Sequence, residues 1–351
     1  MKKRFFLAVF LNIVVFELFI SSFIYNYPEL RNDDTFGWIP RDSSVKVQAI
    51  EGFARMRFNE LGLRGRRIES HKEGEKRVFV MGSSYTFAGE VSERDTFVSL
   101  LDRRLNEKAL PIMVINGGMP DASIAEYIYY LPVFQTIIKP DLIIIQIVAM
   151  DFYRALSRKS GIYIDLNNDG SYRVVDNREA LLKYKVIENG LYRWLIEKSS
   201  IFSYLNIRMK MFLSMKVDAE AQQGPDKLNP AEQQKKNEIL SRSVILMAKV
   251  LMDWAHNATP ILLLLIPEEN SLAKSMTHEE ERLVDELKQL SSKYHIEVVD
   301  MAPIFRNSLQ TDHIVPKGFL NSRPGAGHLN KSGHELVVDQ LVPIILSRYR
   351  Q

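Results

Sequence analysis

The chain has 351 residues, 46% hydrophobic and 25% charged, which is the make-up of a globular protein of one or two domains and not of a disordered, collagen-like or multi-span membrane chain. Its 46 Lys and Arg against 43 Asp and Glu leave a formal charge of +3, too even a balance for a nucleic-acid-binding domain. Cysteine is absent, which excludes disulfides, thiol nucleophiles and Cys-ligated metal sites.

Lys2-Lys3-Arg4 precedes an apolar run over residues 5–25. At 1.5 Å per residue that run spans roughly 30 Å, the thickness of a bilayer core. Only Asn12 and Glu17 are strongly polar within it. An ionised Glu17 at mid-membrane costs about 2.5–3.5 kcal/mol, so it is expected to be protonated, near an interface, or paired with another helix. The basic flank stays cytoplasmic by the positive-inside rule. Residues 1–25 are therefore expected to be a cytoplasmic tip and single-pass anchor in the cytoplasmic membrane, with the main domain extracytoplasmic (periplasmic). A cleaved signal peptide and a buried soluble helix are the alternatives. The run is long for a signal peptide, and no A-x-A site follows it.

Residues 26–75 have few long apolar runs and read as a juxtamembrane segment of short strands and turns packing on the main domain. From residue 76 the pattern turns periodic. Residues 77–81 form a buried strand ending at Gly82, and 96–107 an amphipathic helix with Phe97, Leu100, Leu101 and Leu105 on its apolar face. Residues 112–115 are a second strand and 124–138 a second helix. Residues 142–148 are continuously apolar, as in a strand covered on both faces of a parallel sheet. An insertion at about 152–236 interrupts this pattern. It contains a hairpin at 162–175, helix within 181–215, and a polar stretch at 218–236 with Gly224-Pro225 and Asn229-Pro230, which is the best candidate for a mobile loop. The pattern then resumes with a helix (232–256), a strand (261–266), a helix (277–294), a short strand (297–299) and a closing helix (331–348). Such alternation predicts an α/β fold: a three-layer α/β/α domain over 76–351 with a mostly parallel, flavodoxin-like sheet, preceded by one transmembrane helix.

Three segments carry chemistry. In Gly82-Ser83-Ser84-Tyr85-Thr86, hydroxyls appear at the C-terminal end of a buried strand, where open α/β sheets bind ligands. A serine there suits a nucleophile with backbone N–H groups close by. Far downstream, His328-Leu329-Asn330-Lys331-Ser332-Gly333-His334 places a loop histidine at the entrance of the last helix, where it can act as a general base. His334, inside that helix, reads as structural. Between them, Asn116-Gly117-Gly118 follows the second strand, and its small residues let a backbone N–H approach a substrate oxygen. Alone, each has a plainer reading: a Ser/Thr turn or cap, an exposed histidine, a common strand-to-helix loop. Asp165-Leu166-Asn167-Asn168-Asp169-Gly170 resembles a calcium loop, but Asn-Asp-Gly between strand-like flanks reads better as a hairpin turn. No metal and no cofactor is expected.

Taken together, these blocks resemble the SGNH (GDSL-type) hydrolase superfamily. Gly82-Ser83-Ser84-Tyr85-Thr86 matches its G-D-S-x-T block, and Asn116-x-Gly118 its second block. Residues 143–151 match its third block, and His328 with Leu329-Asn330 and Gly333-His334 its last. The resemblance covers about residues 36–350. It implies Ser84 as nucleophile, His328 as base, and the Ser84 and Gly118 N–H groups as the oxyanion hole. Asn59-x-Leu61-Gly62-Leu63-Arg64-Gly65, after a single anchor, looks like a membrane-tethered branch found among envelope proteins.

The sequence departs from the family pattern. The first-block Asp is Ser83, and the third-block Asn, an oxyanion donor in the family, is Met150. The acid normally two or three residues before the histidine is absent, because Gly325 and Ala326 stand there. The site is thus expected to be acid-less, with Asp300 and Asp312 as possible replacements. The resemblance implies a membrane-anchored serine esterase or acyltransferase acting on an O-acyl, especially O-acetyl, group of an envelope glycan. Its expected partners are that ester substrate and the membrane, together with envelope polysaccharide-assembly proteins. The other reading is a catalytically degenerate scaffold that binds glycan or partner proteins in polysaccharide assembly or modification.

Overall fold

The computed structural model describes residues 2–108, 111–221, 230–268 and 277–349. Helix α1 (Lys2–Phe19) continues into a π-helical turn (Ile20–Ile24), and together they are long and apolar enough to cross a membrane. The side chains of α1 stand open apart from the half-buried Glu17, and burial begins at Ile20. A helix apolar on all sides has no polar face to turn toward water.

Two antiparallel hairpins follow, β1 (Leu30–Asp33) with β2 (Gly37–Pro40) and β3 (Val45–Gln48) with β4 (Ala54–Arg57). Beyond them Asn59 folds a tight loop, its Oδ1 accepting the N–H groups of Leu61 and Leu63 at 3.0 and 3.1 Å. The loop drives Arg64 inward to 2% exposure. There its guanidinium donates to the carbonyls of Phe87 (2.8 Å), Ala88 and Val91 (2.7 Å).

The central sheet holds β5 (Lys76–Gly82), β6 (Ile112–Gly118) and β7 (Leu142–Ile147). The chain then makes a hairpin, β8 (Ile162–Leu166) with β9 (Tyr172–Asp176), before adding β10 (Ile261–Leu265) and β11 (Glu297–Asp300). The five central strands run parallel in the order β6-β5-β7-β10-β11, the flavodoxin-like arrangement in which the strand order reverses between the first and third strands. The helices are α2 (Ser84–Phe87), α3 (Phe97–Asn106), α4 (Ile124–Ile138), α5 (Met150–Ala155), α6 (Leu182–Glu188), α7 (Gly190–Lys198) and α8 (Ser200–Ala221), then α9 (Pro230–Ala255), α10 (His278–Lys293), α11 (Met301–Thr311) and α12 (Lys331–Tyr349). Alternation along β5 divides the core. Phe79 and Met81 pack with residues of α4, α9 and α10, while Val78 and Val80 pack with residues of α3, α11 and α12. Every residue of β7 is buried, the burial a parallel strand has when helices cover both faces.

Helix starts follow their caps. Ser123 with Glu126 and Thr277 with Glu280 form capping boxes for α4 and α10, and the Thr96 side chain caps α3. Helix α11 was not anticipated from the sequence. Its Pro303 sits in the first turn, where a missing N–H leaves no intrahelical bond unmade, and Asp300 supplies the cap. The stretch expected as a polar loop is helical where it is described, through Ala221 and again from Pro230. Gly224-Pro225 and Asn229 lie outside the described residues. The calcium-like stretch is the β8–β9 hairpin, where the Asp165 carboxylate pairs with Arg158 and Arg173.

Candidate active site

Ser84 is the first residue of α2, directly beyond the C-terminal end of β5 and beside β7, where the strand order reverses. Gly82 makes the approach possible: a Cβ there would meet Thr86 Oγ1 at 2.2 Å and Gln146 Oε1 at 2.7 Å. Gln146, fully buried on β7, holds the turn from below. Its Oε1 accepts the Ser83 N–H at 3.2 Å, the Thr86 hydroxyl at 3.1 Å and, more weakly, the Ser83 hydroxyl at 3.5 Å. Arg64 ties down the carbonyls just past α2. The nucleophile candidate is thereby fixed from two sides.

His328 enters from the loop between α11 and α12. Its backbone carbonyl accepts the Gly318 N–H at 2.9 Å. Asn330 braces the loop through bonds to the Val315 and Gly318 carbonyls, and its Oδ1 accepts the Gly333 N–H. The structure brings Ser84 and His328 together, with Nε2 2.9 Å from Ser84 Oγ.

The expected absence of an acid is corrected. Glu51, in the turn between β3 and β4, accepts His328 Nδ1–H on Oε2 at 2.7 Å and the His328 backbone N–H on Oε1 at 3.0 Å. The carboxylate comes from the β3–β4 turn, ahead of the first central strand, and the residues just before the histidine do not supply it. Asp300 and Asp312 do not take this place: Asp300 caps α11 and pairs with Lys288 at 2.5 Å, and Asp312 sits at the C-terminal end of α11. Gly327 makes room for the acid, because a Cβ there would fall 2.2 Å from Glu51 Oε1, and its φ is +83°. Asn321 clamps the Glu51 turn to the histidine loop through bonds with Ala49 and Gly52.

A second carboxylate stands behind the first. Glu90 Oε1 lies 3.6 Å from His328 Nδ1, and its Oε2 has no hydrogen-bond partner among the described residues. Burial pushes the Glu90 carboxyl up. Burial also works on Glu51, but the hydrogen bonds and charge of His328 outweigh it and hold that carboxyl below the ordinary value. The pair is thus split into one acid that favours its proton and one that favours its charge.

Other neighbours complete the site. The Tyr85 ring lies 5.4 Å from the His328 ring. The Tyr85 hydroxyl accepts from the fully buried Lys317 at 3.0 Å, and Lys317 also donates to the Pro267 carbonyl at 2.6 Å. His334 is buried in α12, accepting the Phe97 N–H on Nδ1, and burial pulls it down to about 3.

The expected oxyanion role of Gly118 is corrected. The Gly118 N–H donates to Asn116 Oδ1 at 2.8 Å, and Asn116 in turn donates to the Thr86 carbonyl at 3.0 Å. Gly118 is needed for packing, since a Cβ would meet the Phe87 nitrogen at 2.1 Å. Its N–H is committed within the protein and is not open to a substrate oxygen. Met150 begins α5 and packs against the core. Asp151 beside it is fully buried, accepting the Val148 N–H at 3.0 Å and pairing with Arg154 at 3.2 Å.

Among the described residues, one group could offer three metal ligands, Glu51, Glu90 and His328, with ligand atoms within 4.8 Å of one another. Both ring nitrogens of His328 are already committed, one to Glu51 and one to Ser84, so an ion would have to break the Ser–His–Glu relay.

No family model matches the chain, and no curated protein matches it in sequence. Solved structures of similar fold include an acetyl xylan esterase, AlAXEase, at 12% identity, covering 77% of this chain and 99% of that one with a TM-score of 0.44. A lipase/acylhydrolase from Enterococcus faecalis matches at 15% identity, 78% and 96% coverage and a TM-score of 0.42. An acetylxylan esterase from Geobacillus stearothermophilus matches at 11% identity, 78% and 93% coverage and a TM-score of 0.40.

Proposed function

We propose that the chain is a serine esterase or acyltransferase of the SGNH type, with Ser84, His328 and Glu51 as its catalytic triad. The observation that carries this reading is the continuous relay Ser84 Oγ–His328 Nε2 (2.9 Å) and His328 Nδ1–Glu51 Oε2 (2.7 Å) at the C-terminal end of a parallel sheet. Glu51 selects the tautomer with the proton on Nδ1, which leaves Nε2 free to take the serine proton. Ser84 Oγ then attacks an ester carbonyl, and the imidazolium is stabilised by the Glu51 carboxylate. The proton passes to the departing alcohol, leaving an acyl-enzyme that water or an acceptor hydroxyl discharges. The Ser84 N–H, at the first position of α2 where the helix itself offers no acceptor, faces the growing oxyanion.

The substrate proposed is an O-acyl group, especially O-acetyl, on an envelope glycan, reached from the extracytoplasmic side of a membrane crossed by α1. Family resemblance and the apolar N-terminal helix support that choice, and polysaccharide-assembly proteins are the partners it implies. A second reading, a non-catalytic scaffold that binds glycan, is favoured by one observation: the Gly118 N–H is taken by Asn116. A fluorophosphonate probe separates the two. Labelling of the parent that disappears in Ser84→Ala, with acetate release from acetylated glycan lost in the same variant, supports the enzyme. An unlabelled parent rejects it. A periplasm-specific reporter fused at the C-terminus tests the topology and is expected to be active.

A further inference from the structure

Glu17 is the one carboxylate of the apolar helix, and it caps another helix. Its Oε1 accepts the Ser200 N–H, and its Oε2 accepts the Ile201 N–H at 3.1 Å and the Ser199 hydroxyl at 3.3 Å. A carboxylate here meets the orphan donors and the positive dipole end of α8. Glu17 lies two residues before the end of α1 and seven before Ile24. The start of α8 is therefore tied to the span about 3–10 Å from its domain-side end. From that point α8 carries Leu205, Met209, Phe212 and Leu213, each more than half exposed. Their spacing puts them on one helical face. On α7, Leu191 and Trp194 stand open as well. Residues 181–213 carry six Lys and Arg against two Glu.

We propose that α7 and α8 form a second membrane contact, lying along the outer boundary of the bilayer that α1 crosses. This rests on the reading of α1 as an anchor. Interfacial helices bury their apolar face about 5–10 Å into the headgroup–acyl boundary, which is the depth at which Glu17 ties α8 to the span. The Leu205–Met209–Phe212–Leu213 face meets the acyl chains. The flanking lysines and arginines reach the headgroups, and Trp194 sits at the level where indoles concentrate. The contact also sets orientation, because α7 is fastened to the domain. Glu197 accepts the Leu30 N–H at 3.2 Å and Lys198 pairs with Glu29 at 2.5 Å. The sheet, and Ser84 at its end, is thereby held at a fixed tilt over the membrane.

The cysteine-free chain permits a direct test. Leu205→Cys, Met209→Cys and Phe212→Cys are labelled singly with an environment-sensitive dye on the full chain in phosphatidylethanolamine–phosphatidylglycerol vesicles. Val9→Cys on α1 and Leu320→Cys on a fully exposed loop serve as references. Labels at 205, 209 and 212 are expected to lose fluorescence to nitroxide-bearing lipid and not to aqueous iodide, as at position 9, with the opposite pattern at 320. Iodide quenching at 205–212 while position 9 still responds to lipid overturns the second contact and leaves the anchor standing. Iodide quenching at position 9 removes the anchor, and this contact with it. Protection from both quenchers at 205–212 means a protein covers the face, such as a second copy, and overturns the proposal equally.

Discussion

At the scale of single residues, the site depends on a carboxylate that arrives from far away in sequence. Ser84 and His328 were legible as candidates because each sits in a local pattern, hydroxyls after a buried strand and a histidine before a capped helix, and the resemblance carried by all the blocks together gave them their expected roles. Glu51 has no such pattern. It lies 277 residues from His328, in a short hairpin turn whose only local mark is Gly52. Only the packing of β3–β4 against the histidine loop makes it a partner. Glu51→Gln is expected to lower kcat by about 10³–10⁴-fold with KM little changed, because an amide cannot hold the productive tautomer and imidazolium as a carboxylate does. Steady-state kinetics on a soluble ester checks this. Installing Asp by Gly325→Asp or Ala326→Asp is expected to bring no gain, because the position facing Nδ1 is filled and Gly325 has a φ of +78°, which strains any other residue. Gly327→Ala should cost nearly as much as Glu51→Gln. Its Cβ would lie 2.2 Å from Glu51 Oε1, and the pH–rate profile is expected to change together with kcat. An unchanged profile in Gly327→Ala would detach Glu51 from catalysis.

At the scale of elements, the positions of the central strands followed from apolar runs punctuated by Gly and Pro, clearest in β6, β7 and β10, which are buried throughout. Less legible was what one strand does for another. Gln146 is the single polar residue of β7 and reads as an irregularity in the run Ile-Ile-Ile-Gln-Ile. In the fold it is the acceptor beneath the β5–α2 turn. Gln146→Leu leaves the buried Ser83 N–H without a partner. The cost of such an orphan is about 1–3 kcal/mol, partly offset because Gln146 Nε2 itself lacks a partner among the described residues. The expected result is a modest fall in the urea midpoint and a larger fall in probe-labelling rate at Ser84, since the turn that presents the proposed nucleophile slackens. A variant with parent labelling rate would reduce Gln146 to a packing residue. The Asn59–Gly65 motif acts on the same turn from outside, with Arg64 bonding the carbonyls after α2. The motif was visible in sequence as a resemblance, but its role was not, because nothing local says where a buried arginine will find its acceptors.

At the scale of the whole molecule, buried acids set how stability varies with pH, and they act in opposite directions. Glu51 has its carboxyl lowered in the folded state, so its contribution is present above about pH 4 and is lost as pH falls through its folded value. Asp151 behaves oppositely. Burial, only partly countered by Arg154 and the Val148 N–H, pushes it up to about 7. The folded state therefore holds the Asp151 proton more tightly than the unfolded chain does. That contribution is complete below about pH 4, declines as pH rises, and is gone once pH passes the folded value. A difference of about three units corresponds to about 4 kcal/mol between the two limits. Glu90, raised by burial, tilts stability in the same direction as Asp151. Buried His334 works against both: pulled down to about 3, it is kept neutral by the fold, so its contribution is present above about pH 6.5 and is lost as pH falls. The Asp151 and His334 slopes therefore largely offset one another below about pH 6.5, and the Asp151 effect is read from the difference between the parent and a variant that lacks its titration. Asp151→Asn keeps an oxygen for the Val148 N–H and removes the titration. Its urea midpoint is expected to match or exceed that of the parent at pH 8, with its advantage over the parent widening between pH 5 and 7. A difference between the two proteins that stays constant over that interval would show that Asp151 is ionised at little cost and that Arg154 fully compensates its burial.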